Sequence, residues 1–107
     1  MAASTYKLVN GNSSTPETAI KKLAKEFLIL AGWFVRHNMQ RRWSYKGMPD
    51  IIATHHGVTL EIEFKSKTGT QSPDQIRYQA DLQEHGGHYV LARRSVDILY
   101  YLKENNL

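Results

Sequence analysis

Two β-strands separated by a very short connection are the feature that most limits how this chain can fold. Residues 49–54 and 58–66 carry the β-branched and aromatic residues typical of strands, and only His55, His56 and Gly57 lie between them. Such a short connection can join antiparallel strands but cannot return the chain for parallel pairing. The sequence therefore predicts a β-hairpin.

The second strand of this hairpin alternates between apolar and polar residues. Because successive side chains of a strand point to opposite faces, the pattern places Val58, Leu60, Ile62 and Phe64 on one face and Thr59, Glu61, Glu63 and Lys65 on the other. One face is therefore predicted to join the core, and the other to carry two acids and a lysine.

Helical patterns lie on both sides of the hairpin. The first helix is predicted to be capped by Thr15, with Pro16 at its first position, and to end at Gly32. Ser72 and Gln75 have the spacing of a capping box, which predicts the start of a second helix.

The remaining segments complete an α/β fold. Strands are predicted over residues 33–37 and 88–92, and Ser95 is predicted to cap a final helix. The order α-β-β-β-α-β-α predicts a central mixed sheet with flanking helices. Residues 1–14 are expected to form a loose arm, which leaves one domain over residues 15–107.

Composition narrows the possible functions. The chain has no cysteine, which excludes disulfides, thiol nucleophiles and zinc–thiolate sites. Its longest apolar stretch is far shorter than the roughly 20 residues that span a bilayer. We therefore expect no membrane contact and a cytoplasmic location, in a bacterium or, if the chain is viral, in its host cell. A formal charge of +4 suits a polyanionic partner.

The predicted hairpin brings three charged side chains together. Asp50 begins one strand, and Glu63 and Lys65 share a face of the other. Charges on one strand face can be an ordinary solvated surface. These strands, however, have the composition of core strands, and charges held there need partners or a metal ion.

Two acidic groups and a neighbouring backbone carbonyl form an all-oxygen ligand set, which suits Mg²⁺ or Mn²⁺ better than zinc. A lysine two residues beyond an acidic ligand is suited to holding an attacking water or a scissile phosphate. The combination is typical of phosphodiester hydrolysis.

The same residues resemble a known nuclease motif. Pro49-Asp50 followed by Glu63-Phe64-Lys65 is similar to the PD-(D/E)xK pattern of restriction-endonuclease-like nucleases. The surrounding sequence resembles the VRR-NUC (virus-type replication-repair nuclease) branch through the segments 47–52, 62–66, 72–75 and 87–92. The resemblance covers about residues 15–102. Met48 and Phe64 depart slightly from the usual pattern, and neither change affects a catalytic atom.

The resemblance implies a restriction-endonuclease-like fold and a site with assigned roles. The implied metal ligands are Asp50, Glu63, the Phe64 carbonyl and Glu17, and the implied catalytic residues are Asp50, Glu63, Lys65, Glu17 and Gln75. Three of these assignments have alternatives. Glu17 can simply complement the helix dipole, Gln75 can serve only the capping box, and Glu61 could replace Glu63 as the ligand.

A basic and aromatic stretch precedes Asp50 and suits contacts with phosphates and bases. The candidate DNA-binding residues are Arg41, Arg42, Trp43, Tyr45, Lys46 and Lys67. The alternative is that Trp43 packs on the core and the cations are only solvated.

The expected activity is a metal-dependent DNA endonuclease. Stand-alone members of the VRR-NUC group resemble junction resolvases and fused members resemble flap nucleases, so the lack of a fused region here predicts a homodimer that cuts four-way junctions in DNA repair. The alternatives are a flap or nicking nuclease, a non-catalytic DNA-binding module that keeps the fold, and an adaptor whose acidic face binds a protein.

Overall fold

The fold of the chain was obtained as a computed structural model, which describes residues 16–39 and 45–107. Its helices are α1 (Glu17–Leu30), α2 (Pro73–Glu84) and α3 (Val96–Glu104), and its strands are β1 (Phe34–His37), β2 (Ile51–His55), β3 (Val58–Phe64) and β4 (His88–Ala92). The predicted order of elements is confirmed. The expected arm over residues 1–14 and the capping residue Thr15 lie outside the described residues.

The four strands form one mixed sheet in the order β1-β2-β3-β4. The pairs β1–β2 and β2–β3 are antiparallel, whereas β3–β4 is parallel. A parallel pair needs a crossover connection, and α2 supplies it. The predicted mixed sheet is therefore confirmed.

The central hairpin has a tighter turn than the sequence indicated. His55 still pairs with Val58, so the turn contains only His56 and Gly57. Their φ angles are 48° and 82°, and positive values at both positions are the signature of a type I′ turn, whose twist matches that of the strands. The short turn fixes the register of β2 against β3.

The core lies on one face of the sheet, between the strands and the helices α1 and α3. The predicted core face of β3 is confirmed, because Leu60, Ile62 and Phe64 are fully buried. The other buried apolar residues of this cluster are Ile20, Ala24, Leu28, Trp33, Ile51, Ala53, Val90, Ala92 and Ile98. In the part of the chain that the structure describes, none of the helices is long and apolar enough to cross a membrane.

Two helix starts differ from prediction. Pro16 occupies the capping position of α1, with extended backbone, so the first helical residue is Glu17. Ser95 has helical backbone angles and its side chain does not cap α3. The carboxylate of Asp97 instead accepts hydrogen bonds from the backbone N–H groups of Arg93 (3.0 Å) and Arg94 (2.9 Å).

The connection before β2 lies directly against the first turn of α2. Gly47 has a φ of 82°, and a Cβ placed on it would be 2.2 Å from the carbonyl oxygen of Asp74. Only glycine permits both this backbone conformation and this close approach. Gly47 therefore joins the segment that leads to Asp50 with the helix that covers the sheet.

We predict that Gly47→Ala destabilises the protein more than Gly57→Ala does. Both glycines have a φ of 82°, so each replacement should cost roughly 1–2 kcal/mol for a left-handed backbone. Only at Gly47 would the new methyl group also collide with backbone, which should add at least about 1 kcal/mol. Chemical denaturation of both variants measures the difference, and equal losses would contradict the close approach.

Candidate active site

The candidate site begins where Asp50 meets the end of β3. Asp50 directly precedes β2, and its neighbour Ile51 pairs with Ile62. The Oδ2 atom of Asp50 accepts a hydrogen bond of 2.8 Å from the backbone N–H of Phe64. The hairpin register thus holds the Asp50 carboxylate beside Glu63.

Glu63 is the most unusual residue of the sheet, because it is a carboxylate that is only 3% exposed. Its Oε2 atom accepts a hydrogen bond of 3.1 Å from the Nε2 of Gln75 and lies 3.5 Å from the Nζ of Lys65. The side chains predicted to share a site are therefore brought together.

Burial raises the pKa of Glu63 from its ordinary value of 4.5 to about 7. The negative charge of Asp50 contributes to the rise, Glu17 adds a smaller contribution, and the positive charge of Lys65 opposes it. Lys65 thus offsets only part of the free-energy cost of burying the Glu63 carboxylate next to other acids.

Gln75 completes the predicted capping box and also contacts Glu63. Its Oε1 accepts from the backbone N–H of Ser72 (2.9 Å), and the Ser72 hydroxyl accepts from the backbone N–H of Gln75 (3.2 Å), which completes the predicted capping box. Because the amide oxygen serves the cap, the amide nitrogen faces Glu63 and donates to it. The first turn of α2 thereby orients the Glu63 carboxylate.

Lys65 is positioned by the parallel strand pair. Its backbone N–H donates a hydrogen bond of 3.1 Å to the carbonyl of Ala92, just beyond the end of β3. The loop that follows is held by Arg93, whose Nη1 donates to the carbonyls of Ser66 (2.7 Å) and Gly69 (2.6 Å). Local sequence gives no signal of this role for Arg93, because it depends on β4 lying beside β3.

Helix α1 contributes a residue that the sequence reasoning missed. The Nζ of Lys21 lies 3.6 Å from the Oδ1 of Asp50. Glu17, the predicted acid of this helix, is exposed at its first position. The two residues are four positions apart, and this spacing puts both side chains on one face of a helix, which was the available signal.

Glu61 does not join the other acids, although it lies on the same face of β3. Its carboxylate accepts a hydrogen bond from the hydroxyl of Tyr78, one helical turn beyond Gln75 on α2. Burial and the neighbouring Glu61 together raise the pKa of Tyr78. The geometry therefore favours Glu63 over Glu61 as the acid of the candidate site.

The site offers few ligands for a metal ion. Within residues 16–39 and 45–107, no three histidine or acidic side chains form a metal-binding group by themselves. Two converging carboxylates are nonetheless what Mg²⁺ usually takes from a protein, since it keeps several waters and shares substrate phosphate oxygens. The repulsion between Asp50 and Glu63 also favours a cation between them.

The candidate DNA-binding residues are only partly described. Arg41, Arg42 and Trp43 lie outside the described residues. Lys46 and Lys67 are exposed on the connections that flank Asp50 and Lys65. Tyr45 is 59% exposed, and its ring packs against Tyr78 of α2 with 5.7 Å between ring centroids.

Comparison with solved structures identifies the architecture. A structure described as "VRR_NUC domain" superposes with a TM-score of 0.71 over 85% of this chain and 97% of its own length, at 24% sequence identity. The chain has the fold of a VRR-NUC domain. The restriction-endonuclease-like fold implied by the motif is therefore confirmed. No family model matches the chain, and no curated protein is significantly similar to it.

We predict that the raised pKa of Glu63 lowers the stability of the metal-free protein as pH rises. Folding makes this proton harder to remove, so between about pH 4.5 and 7 the folded state binds more protons than the unfolded state. The free energy of unfolding should fall across that window, and this contribution should be constant above it.

Glu63→Gln should remove this contribution, whereas Glu61→Gln should keep it. Urea denaturation in EDTA from pH 4 to 9 measures the difference between each variant and the wild type. An identical pH dependence in wild type and Glu63→Gln would show that Glu63 ionises normally in the folded protein.

Proposed function

We propose that this VRR-NUC domain is a divalent-metal-dependent deoxyribonuclease that hydrolyses phosphodiester bonds. The observation that carries the proposal is the nearly complete burial of Glu63 between Asp50, Lys65 and Gln75. A fold without a function at this edge gains nothing from a buried acid beside a second acid, because the burial costs free energy. The VRR-NUC fold supports the same conclusion.

The ligands for the metal would be Asp50, Glu63 and the Phe64 carbonyl, with Glu17 as a further acid from α1. These are hard oxygen donors, which Mg²⁺ and Mn²⁺ prefer. A bound divalent ion would supply Lewis-acid stabilisation of the charge that develops on the phosphate. A metal ion would bind most readily above pH 7, where Glu63 is already ionised before the metal binds.

The protein groups around these acids have separate tasks. Lys65 has an ammonium group 3.5 Å from Glu63, where it would hold a phosphate oxygen or orient the attacking water. Gln75 keeps the Glu63 carboxylate in one orientation through its hydrogen bond to Oε2. Lys21 lies on the Asp50 side, where it would bind a second phosphate oxygen.

The surroundings of the site suit a nucleic-acid backbone. The chain carries a formal charge of +4, and Lys46 and Lys67 are exposed on the two connections next to the acids. Arg93 fixes the backbone between Ser66 and Gly69, the loop that carries Lys67. The proposed DNA-binding residues are Lys46 and Lys67, together with Arg41, Arg42, Trp43 and Tyr45.

We predict that Asp50→Asn and Lys65→Ala each lower DNA cleavage at least about a hundredfold and leave DNA affinity nearly unchanged, because both groups act on charge formed in the transition state. Asparagine can still accept the hydrogen bond from Phe64, so the hairpin should keep its geometry. Cleavage of labelled DNA in Mn²⁺ and in EDTA provides the measurement.

Lys103→Ala serves as the matched control, because Lys103 is an exposed lysine on α3, away from the proposed site. It should cleave like the wild type. Normal turnover by Asp50→Asn, or cleavage by the wild type in EDTA, would refute the proposed mechanism.

Within this activity, we propose selectivity for branched DNA, with a four-way junction as the best substrate of a homodimer. Resolving a junction requires cuts on two opposing strands, and a two-fold dimer supplies two sites with the required symmetry. Light scattering should give the mass of a dimer, and junctions should be cut faster than flaps, nicked duplexes or linear duplexes. A monomer that prefers flaps would refute both parts.

A further inference from the structure

Beside the candidate active site, helix α2 forms one wall of an open depression of about 250 Å³. The residues that line it are Tyr45, Tyr78, Asp81, Leu82 and His85. Tyr78, Asp81 and Leu82 lie on α2 and His85 directly follows it, and the spacing of these four residues is that of one stripe of a helix. Tyr45 contacts this stripe at Tyr78 and Asp81. The volume is below the roughly 300–1,000 Å³ of pockets for drug-sized ligands, and it suits one flat ring system.

The polar groups of this depression are arranged to accept hydrogen bonds. The Nδ1 of His85 lies 2.7 Å from the carbonyl oxygen of Asp81, to which it can only donate, so the Nε2 of neutral His85 is an acceptor. The Asp81 carboxylate is a second acceptor, approached at 3.4 Å by the Tyr45 hydroxyl. A phosphate would be repelled here, whereas a heterocycle with N–H donors would be bound.

The aromatic walls favour the same kind of ligand. The rings of Tyr45 and Tyr78 meet edge to face, and the hydroxyl of Tyr78 is already engaged with Glu61. With that hydroxyl occupied, Tyr78 presents mainly its ring. A flat heterocycle could therefore stack on the exposed ring of Tyr45 and contact the apolar side chain of Leu82, which also lines the depression.

The depression is separated from the candidate catalytic groups by the length of a few nucleotides. Gln75 contacts Glu63, and Tyr78 and Leu82 follow it by one and two turns of the same helix. At 1.5 Å per residue, this places the depression roughly 5–10 Å along the helix from Gln75. That separation corresponds to about one to three nucleotides of a DNA strand, at roughly 3.4 Å per nucleotide.

We propose that this depression binds one unpaired nucleobase of the DNA substrate, within a few nucleotides of the bond to be cut. The proposal rests on the proposed nuclease function and adds that one base next to the branch point is unpaired in the bound DNA. A fully paired base would keep its N–H donors inside the duplex and could not enter.

The test measures binding without catalysis. Fluorescence anisotropy in EDTA compares two duplexes that are identical except for one bulged position, which carries either 2-aminopurine or an abasic residue. The wild type should bind the 2-aminopurine duplex about tenfold more tightly, the advantage expected from one base–aromatic stack. Tyr45→Ala should lose this advantage.

Tyr100→Ala is the matched control, because Tyr100 is 53% exposed on α3 and Tyr45 is 59% exposed. It should keep the full advantage. Equal affinity of the wild type for the two duplexes would overturn the proposal, as would an equal loss in both tyrosine variants. Circular dichroism of each variant verifies that the fold is intact.

Cleavage of the same duplexes in Mn²⁺ separates this proposal from the proposed function. Cleavage without any preference for the base in the binding assay would overturn the nucleobase pocket and leave the nuclease intact. A base-dependent affinity without cleavage would overturn the nuclease and support the pocket.

Discussion

Burial of the Glu63 carboxylate is the constraint on which the rest of the site depends. A charge that is only 3% exposed requires partners, and each of its partners comes from a different part of the fold. Lys65 lies directly after β3, Gln75 comes from the start of α2, and Asp50 adds a second negative charge that these donors do not fully balance. Burial and this remaining imbalance together raise the pKa of Glu63, and they are the reason why a divalent cation is proposed at the site.

The register of the hairpin connects this constraint to the fold. The type I′ turn at His56 and Gly57 fixes which residues of β2 and β3 face each other. A slip of one residue would exchange the two faces of β3, which would expose Phe64 and move Glu63 into the apolar core. At the other end of the hairpin, the hydrogen bond from the backbone N–H of Phe64 to the Asp50 side chain holds the same register. The core packing and the site geometry therefore both require this one register of β2 against β3.

Helix α2 links the site to the proposed substrate surface. Its first turn contacts Gly47 on one side and supplies Gln75 to Glu63 on another, and its later turns carry the residues of the nucleobase depression. Because α2 is also the crossover between the parallel strands β3 and β4, its position over the sheet is fixed by topology. A displacement of this helix would disturb the acids and the proposed DNA-binding surface together.

The sequence by itself determined the features that depend on short separations along the chain. Alternation along β3, the short connection at His56 and the capping box at Ser72 were sufficient to predict the hairpin, the order of elements and the convergence of Asp50, Glu63 and Lys65. Each of these signals lies within one element or between adjacent elements, where backbone geometry dictates side-chain direction. The tertiary structure alone decided the contacts between distant segments.

Lys21 reaches Asp50 across 29 positions of the chain, and Arg93 holds a loop 24 to 27 residues before it. The packing of helix α2 over the sheet decides that Glu61 is hydrogen-bonded by Tyr78 and Glu63 by Gln75. No local period encodes these pairs, because they depend on how helices pack over the finished sheet.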